Sequence, residues 1–321
     1  MSDALFILRG MTLALAWLMA VNLVATLAIA LGFRPLMAFA GVKPPGFWLG
    51  ARLFPAAASI AFVAIVFLPS YWKYEPRELA EGFDLTLGAL AVAALAMVVA
   101  AAVRGVSAAR RATHRTQAWL RMARPVTLRE ASVPVFAIDT DAPAMALAGV
   151  ACPRLLITRG VLDALTAEEL SASVAHEIGH HRSWDNLKRL AMCAAPDMLT
   201  ATAAARAIER QWASASEHAA DRQACDTPRA RCALASALVK VARLTPASTP
   251  ITEPISTLID GGEIASRVRH LLDEDMPAAA PRWSPRRWIA VALPAAALVV
   301  GYAPALRAVH AVTEALVQTL P

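Results

Sequence analysis

The stretch LTAEELSASVAHEIGHHRSWDNLKRL, residues 165–190, decides how this chain is read. Thr166 precedes a periodic run and Glu169 follows three residues later, the pattern of a capping box at a helix N-terminus. Leu165 and Leu170 are spaced for a hydrophobic staple across that start. One helix is therefore expected through Leu190. On it, His176 and His180 stand four residues apart. Four steps turn a helix by about 400°, so both imidazoles leave one face, one turn apart. That spacing suits two ligands of one tetrahedral Zn²⁺. Glu177 lies about 100° round the helix, where it can take a proton from an attacking water without occupying the metal. Zinc lowers that water's pKa toward neutrality. The plainer reading is two solvated histidines, but unpaired imidazoles deep in an apolar helix are costly.

A third ligand has to come from elsewhere. The run SEHAADRQA, residues 216–224, puts Glu217 and Asp221 four apart on a second expected helix. Glu217 would complete a His₂Glu set with one position open. Asp221, one turn on, would accept the free N–H of a metal-bound imidazole. The competing reading is an ordinary acidic face, with Asp221 paired to Arg222 or Arg229. His181 points away from the face of His180 and reads as structural or solvated. His218, beside Glu217, is a weaker candidate for steadying an oxyanion. On an unbroken helix Asp185 falls nearly opposite His176, so its default is a salt bridge to Arg182 or Arg189.

The rest of the chain reads as membrane. Of 321 residues, 57% are hydrophobic and 17% charged, against about 45–50% and about 25% in soluble domains. Four uncharged segments have bilayer-spanning length: 10–33, 53–72, 85–103 and 288–306. Trp48, Tyr71, Trp72, Tyr74 and Trp288 sit near span ends, as interfacial anchors do. The N-terminal stretch is too long for a signal peptide and reads as a retained span. The loops set the orientation. Arg104, Arg110, Arg111, Arg115, Arg121 and Arg124 follow the third span with no acid among them, and Arg282, Arg286 and Arg287 precede the fourth. Acids outnumber bases between the second and third spans. The positive-inside rule then places both termini outside and the long 104–287 segment in the cytoplasm. The net charge of +6 follows from that topology and from anionic lipid rather than from nucleic acid.

The expected fold is an α-helical membrane protein: three N-terminal spans (1–103), a mostly α, α+β cytoplasmic catalytic domain (104–287), and a C-terminal span with a short tail (288–321). Residues 132–138 and 153–158 read as strands. Ala144, Met145, Ala146, Leu147, Ala148 and Gly149 form a candidate third strand, small enough in side chain to serve as the edge on which a substrate strand is laid. Residues 190–208 are apolar but carry Pro196, Asp197 and Arg206; they read as a buried or membrane-skimming helix. Cys152, Cys193, Cys225 and Cys232 show no CxxC spacing and read as small buried residues rather than ligands or disulfides.

With these motifs in place, the run from Pro153 to Leu187 resembles the active-site region of the BlaR/MecR family of membrane metallopeptidases, and is similar to the HtpX and CAAX-protease family of membrane zincins. Both share the HExxH at His176–His180, an Asp nine residues after the first His (Asp185) and the later ExxxD of Glu217 and Asp221; Pro153 before its strand and SRVRHLL at 266–272 also resemble the BlaR/MecR pattern. The resemblance implies a zinc metalloendopeptidase of the HExxH gluzincin type, with one Zn²⁺ per chain, in the inner (plasma) membrane. Its substrate would be a cytoplasmic or membrane-proximal protein: a transcriptional repressor in a signalling pathway in the BlaR/MecR-like case, a damaged membrane protein in the HtpX-like case. No penicillin-binding domain follows the fourth span here, so β-lactam sensing is not implied. The rival class is a non-proteolytic membrane sensor or scaffold with structural zinc, which would have no use for Glu177.

Overall fold

The structure, a computed structural model, describes residues 3–38, 43–76, 85–128, 130–150, 152–244, 261–273 and 285–319. Its N-terminal part is helical. Helix α1 is Asp3–Ala38, α2 Pro45–Ala61, α3 Leu68–Tyr74 and α4 Leu85–Met122. A π-helical turn, Phe62–Phe67, joins α2 to α3. Pro69 offers no N–H to Ile65 four residues before it; the Tyr302 hydroxyl donates to that carbonyl instead. Among the described residues, three helical stretches are long and apolar enough to cross a membrane: Asp3–Phe33, Pro45–Tyr74 and Leu85–Met122. Helix α4 runs unbroken past its apolar part through the arginine-rich segment.

A four-stranded mixed sheet follows, of β1 Ala123–Val126, β2 Val135–Ile138, β3 Met145–Ala148 and β4 Arg154–Thr158, in the order β1-β2-β4-β3. The three expected strands are present, shorter than read. Strand β1 was not expected, because Arg124 and Pro125 look like loop; Pro is tolerated there because β1 is an edge. The remaining helices are α5 Arg159–Ala164, α6 Ala167–Arg182, α7 Asp185–Cys193, α8 Ala203–Ala224, α9 Pro228–Leu244, α10 Gly261–Leu272 and α11 Pro285–Thr319. The backbone of α11 covers the whole of the expected fourth apolar segment. One face of the sheet packs on α5, α6 and α9 through Val135, Leu155, Ile157, Val174, Ile178 and Ala237.

Two helix expectations need correction. The capping box is as read: the Thr166 side chain accepts from the Glu169 N–H while the Glu169 carboxylate accepts from the Thr166 N–H. The helix does not, however, reach Leu190. It stops at Arg182, and Trp184 takes the left-handed conformation at φ 57° before α7 begins. Residues 190–208 are not one helix either. Helix α7 ends at Cys193, a 3₁₀ turn covers Leu199–Ala201, and α8 starts at Ala203 with Thr202 as its cap. Pro196 has no N–H for a helix, and Asp197 instead accepts from the Thr200 N–H and hydroxyl. Of the cysteines, Cys225 alone is buried; Cys152 and Cys232 are exposed.

This 194–202 wedge is gripped by three apolar helices. From α1, the Asn22 amide donates to Pro196 O and accepts from the Met198 N–H. From α4, the Arg104 guanidinium donates to Cys193 O and Ala195 O. From α2, Arg52, only 1% exposed, donates to Asp197 Oδ2 (2.9 Å), Glu209 Oε1 (2.6 Å), Met192 O (3.0 Å) and Thr200 Oγ1 (2.9 Å). Trp48, Met192, Leu199, Ile208 and Trp212 make a shared apolar core around it, with Ile29 and Phe33 of α1 packed against them. Replacing one member of a buried, hydrogen-bonded ion pair costs about 3–5 kcal/mol. Arg52→Met is therefore expected to lower the thermal unfolding temperature of the detergent-solubilised chain sharply. An unchanged transition would refute this account of the wedge.

Candidate active site

The break at Trp184 builds the site. By ending α6 and redirecting the chain, it brings Asp185, the first residue of α7, back toward the preceding turn. Asp185 Oδ2 then lies 2.8 Å from His180 Nδ1. Asp185 also accepts from the Ser216 hydroxyl and from Lys188 Nζ. The expected pairing with Arg182 or Arg189 assumed an unbroken helix and does not form; Asp185 is a partner of the histidine. Gly179 lets α8 approach α6: a Cβ there would sit 3.3 Å from Ala220 Cα. That contact sets Glu217 and Asp221 over the two histidines.

The candidate donors converge. His176 Nε2 and His180 Nε2 are 3.2 Å apart. Glu217 Oε2 lies 3.4 Å from the first and Oε1 3.4 Å from the second. A tetrahedral zinc with bonds of about 2.0–2.2 Å requires donors about 3.3–3.5 Å apart, so the two imidazole nitrogens and the Glu217 carboxylate, each of whose oxygens faces one of them, are spaced close to the edges of such a site. At 3.4 Å the two contacts to Glu217 are too long for good hydrogen bonds. Among the described residues, neither Glu217 oxygen accepts an aligned hydrogen bond, although both are buried. Arg267 Nη1 stands 3.0 Å from Oε2 without an aligned bond, so a metal cation between the imidazoles would satisfy oxygens that the polypeptide leaves incompletely bonded.

The outer nitrogens are equally defined. His176 Nδ1 is 2.8 Å from Asp221 Oδ1, so each imidazole has a carboxylate behind it, the arrangement that fixes which nitrogen is free for a metal. Arg267 of α10, not singled out for a role in the sequence, locks this shell. Its guanidinium donates twice to Asp221, at 2.9 and 2.6 Å, and its Nη1 lies 3.0 Å from Glu217 Oε2. Its 46-residue separation from Asp221 hides it from any local spacing argument. His218 packs edge-on against His270, with centroids 4.8 Å apart, and is not one of the residues whose donor atoms converge.

Electrostatics follow from burial. Desolvation alone would raise the Glu217 carboxyl, but the two imidazoles beside it outweigh that and hold it well below its usual range. Asp221 behaves alike: burial raises it, while His176 and Arg267 bring it down to about 2. For Glu177 the balance falls the other way: burial outweighs the two imidazoles and the Leu147 N–H, which pull it down, and pushes it above the ordinary carboxylate range. Its Oε2 accepts from the Leu147 N–H of β3 at 3.1 Å. An apolar pocket lined by Met145, Val161, Leu165, Leu234, Ala237 and Val241 opens beside His176 and Glu177.

Comparison with known proteins agrees with this arrangement. No curated protein matches the chain. The model of a family described as peptidase family M48 matches residues 109–275, which contain every residue of the cluster. Peptidases of this family are zinc-dependent and membrane-associated. Since the match extends over more than half of its length, the chain belongs to peptidase family M48.

Proposed function

We propose that the chain is an integral-membrane zinc endopeptidase in which His176, His180 and Glu217 bind one Zn²⁺ and Glu177 is the general base. The observation that carries this reading is the set of donor separations, 3.2, 3.4 and 3.4 Å, with a carboxylate behind each imidazole. Bound zinc would polarise the scissile carbonyl and acidify the attacking water. Everything else falls to the chain. Glu177 Oε2 is held by Leu147, which leaves Oε1 to take the proton from the water as its oxygen bonds to the carbonyl carbon. The same oxygen hands that proton to the amide nitrogen as the C–N bond breaks. Asp185 and Asp221 hold the imidazoles in orientation and tautomer. A structural zinc site would have no need for a buried carboxylate at Glu177.

The substrate is read as a protein strand laid along β3, the edge of the sheet beside the candidate cluster. Ala144 bonds inward to Thr158 through both its N–H and its C=O. By the alternation of an antiparallel pair, Ala146 also faces inward and Met145 and Leu147 face the cleft. Backbone recognition of this kind suits a repressor or a damaged membrane protein equally. The topology proposed is three spans, a cytoplasmic catalytic unit and a fourth span, in the plasma membrane with both termini outside. It is supported by the arginine-rich segment that α4 carries beyond its apolar part.

Three outcomes are expected. Glu217→Gln should leave purified protein substoichiometric in zinc by elemental analysis, whereas wild type and Glu177→Gln should each hold one equivalent; full zinc occupancy in Glu217→Gln would remove Glu217 from the ligand set. Glu177→Gln should retain substrate but lose about 10²–10⁴-fold in kcat, and substrates that accumulate in cells carrying it, compared by proteomics with wild type, would identify the target. Reporter fusions after Gly82 and after Pro321 should behave as exported and a fusion at Arg124 as cytoplasmic; an exported Arg124 fusion would invert the topology.

A further inference from the structure

The outward edge of β3 is not uniformly open. Its polar groups face the cleft at Met145, Leu147 and then Gly149, because Ala144 and Ala146 are turned to β4. The Leu147 N–H is held by Glu177, so Leu147 stands beside the scissile bond. Beyond it the edge is closed. The Asn186 amide Nδ2 donates to Leu147 O at 3.1 Å and to Gly149 O at 2.9 Å. Those are the acceptors that a strand continuing past Leu147 would need. Gly149 itself has φ 97°, so the chain also curls away there. In the other direction, Met145 has neither its N–H nor its C=O engaged by a side chain among the described residues.

Asn186 is fixed for this task from behind. It follows Asp185, whose carboxylate is tied to His180, Ser216 and Lys188, and the left-handed turn at Trp184 sets where α7 begins. The backbone that carries the amide is therefore fixed by the group that orients a candidate ligand. This rigidity separates a stop from a latch: a latch has to swing clear, whereas a stop stays and truncates the site.

We propose that Asn186 is a register-setting, specificity-determining residue that ends the substrate-binding edge at Leu147. A bound polypeptide then pairs with β3 on one side of its scissile bond, toward Met145, and makes no strand pairing on the other. The ligand class is an extended peptide recognised through backbone on one side and through side chains alone on the other. This inference rests on the peptidase reading above.

The test uses the full-length zinc-loaded chain in lipid nanodiscs. Quenched-fluorescence peptides are built around a cleavage site mapped in unfolded casein, then extended by one to four residues on either side. For wild type, extension on one side should lower KM stepwise and extension on the other should leave it unchanged. Asn186→Ala exposes two carbonyls, and extension on the formerly silent side should then lower KM by about threefold to tenfold, the worth of one or two backbone hydrogen bonds, with kcat for the shortest peptide retained. Asn186→Asp, which keeps the shape but not the donor, should behave as Ala does. Two-sided length dependence in wild type overturns the proposal whether or not a variant folds. A variant that speeds peptides of every length equally also overturns it and makes Asn186 a latch. A variant that loses zinc and thermal stability with the length profile unaltered makes it a structural clamp instead. If wild type cleaves casein and Glu177→Gln does not, the peptidase reading survives any of these failures; if wild type cleaves nothing, that reading falls first.

Discussion

Four carboxylates, two imidazoles and one guanidinium are buried together between α6, α7, α8 and α10, and each is placed against a group of opposite charge or a hydrogen-bond partner. Glu177, Asp185, Glu217 and Asp221 would each bear a large desolvation cost alone. Three elements supply their partners: β3 gives a backbone N–H to Glu177, α6 gives His180 to Asp185, and α10 gives Arg267 to Asp221 and Glu217. What is left is a point between two imidazole nitrogens and Glu217, whose oxygens accept no aligned hydrogen bond even with the Arg267 guanidinium 3.0 Å away. In this reading the metal is the last member of a charge set that the polypeptide leaves incomplete, and binding and folding are coupled through it.

Much of this was legible in residues 165–224, because helical geometry converts spacing into direction. His176, His180, Glu217 and Asp221 were placed by counting, and the Thr166–Glu169 box by its pattern. The limits of the method have the same origin. Counting assumes that the helix goes on, and Trp184 ends it through a left-handed backbone that a bulky side chain rarely adopts; nothing in the local sequence announces that. Asp185 and Asn186 were therefore assigned to the wrong side of the helix or passed over. Arg267 was out of reach for another reason, since its contact with Asp221 depends on how α10 packs and not on any local period. Strand β1 was hidden by charge and proline, and the wedge by an apolar composition that resembles a helix until its hydrogen bonds are traced.

The apolar helices and the candidate catalytic cluster are not two modules in series. Arg52 of α2 reaches the last turn of α7 through Met192 O and the second turn of α8 through Glu209, and these are the helices that carry Asp185 and Glu217. Their common core is the apolar cluster around Trp212, to which α1 and α2 also contribute. The sheet is held chiefly by α5, α6 and α9; α6 also carries His176, Glu177 and His180, so it joins the sheet to the candidate cluster, with the hydrogen bonds of Glu177 and Asn186 to β3 added to its packing.

The wedge at 194–202 carries a consequence for how such a molecule measures its targets. Being pinned from α1, α2 and α4 at once, it leaves the cleft no swivel with respect to those helices, and if they lie in a bilayer the cleft stands at one altitude above it. A target tethered to the same bilayer would then be gauged as with a ruler. For such a target the length of slack chain between its anchor and the peptide bond would bear on which bond is cut, alongside the residues that flank it. Lengthening or shortening that slack would move the cut along the target's sequence while its height stayed constant.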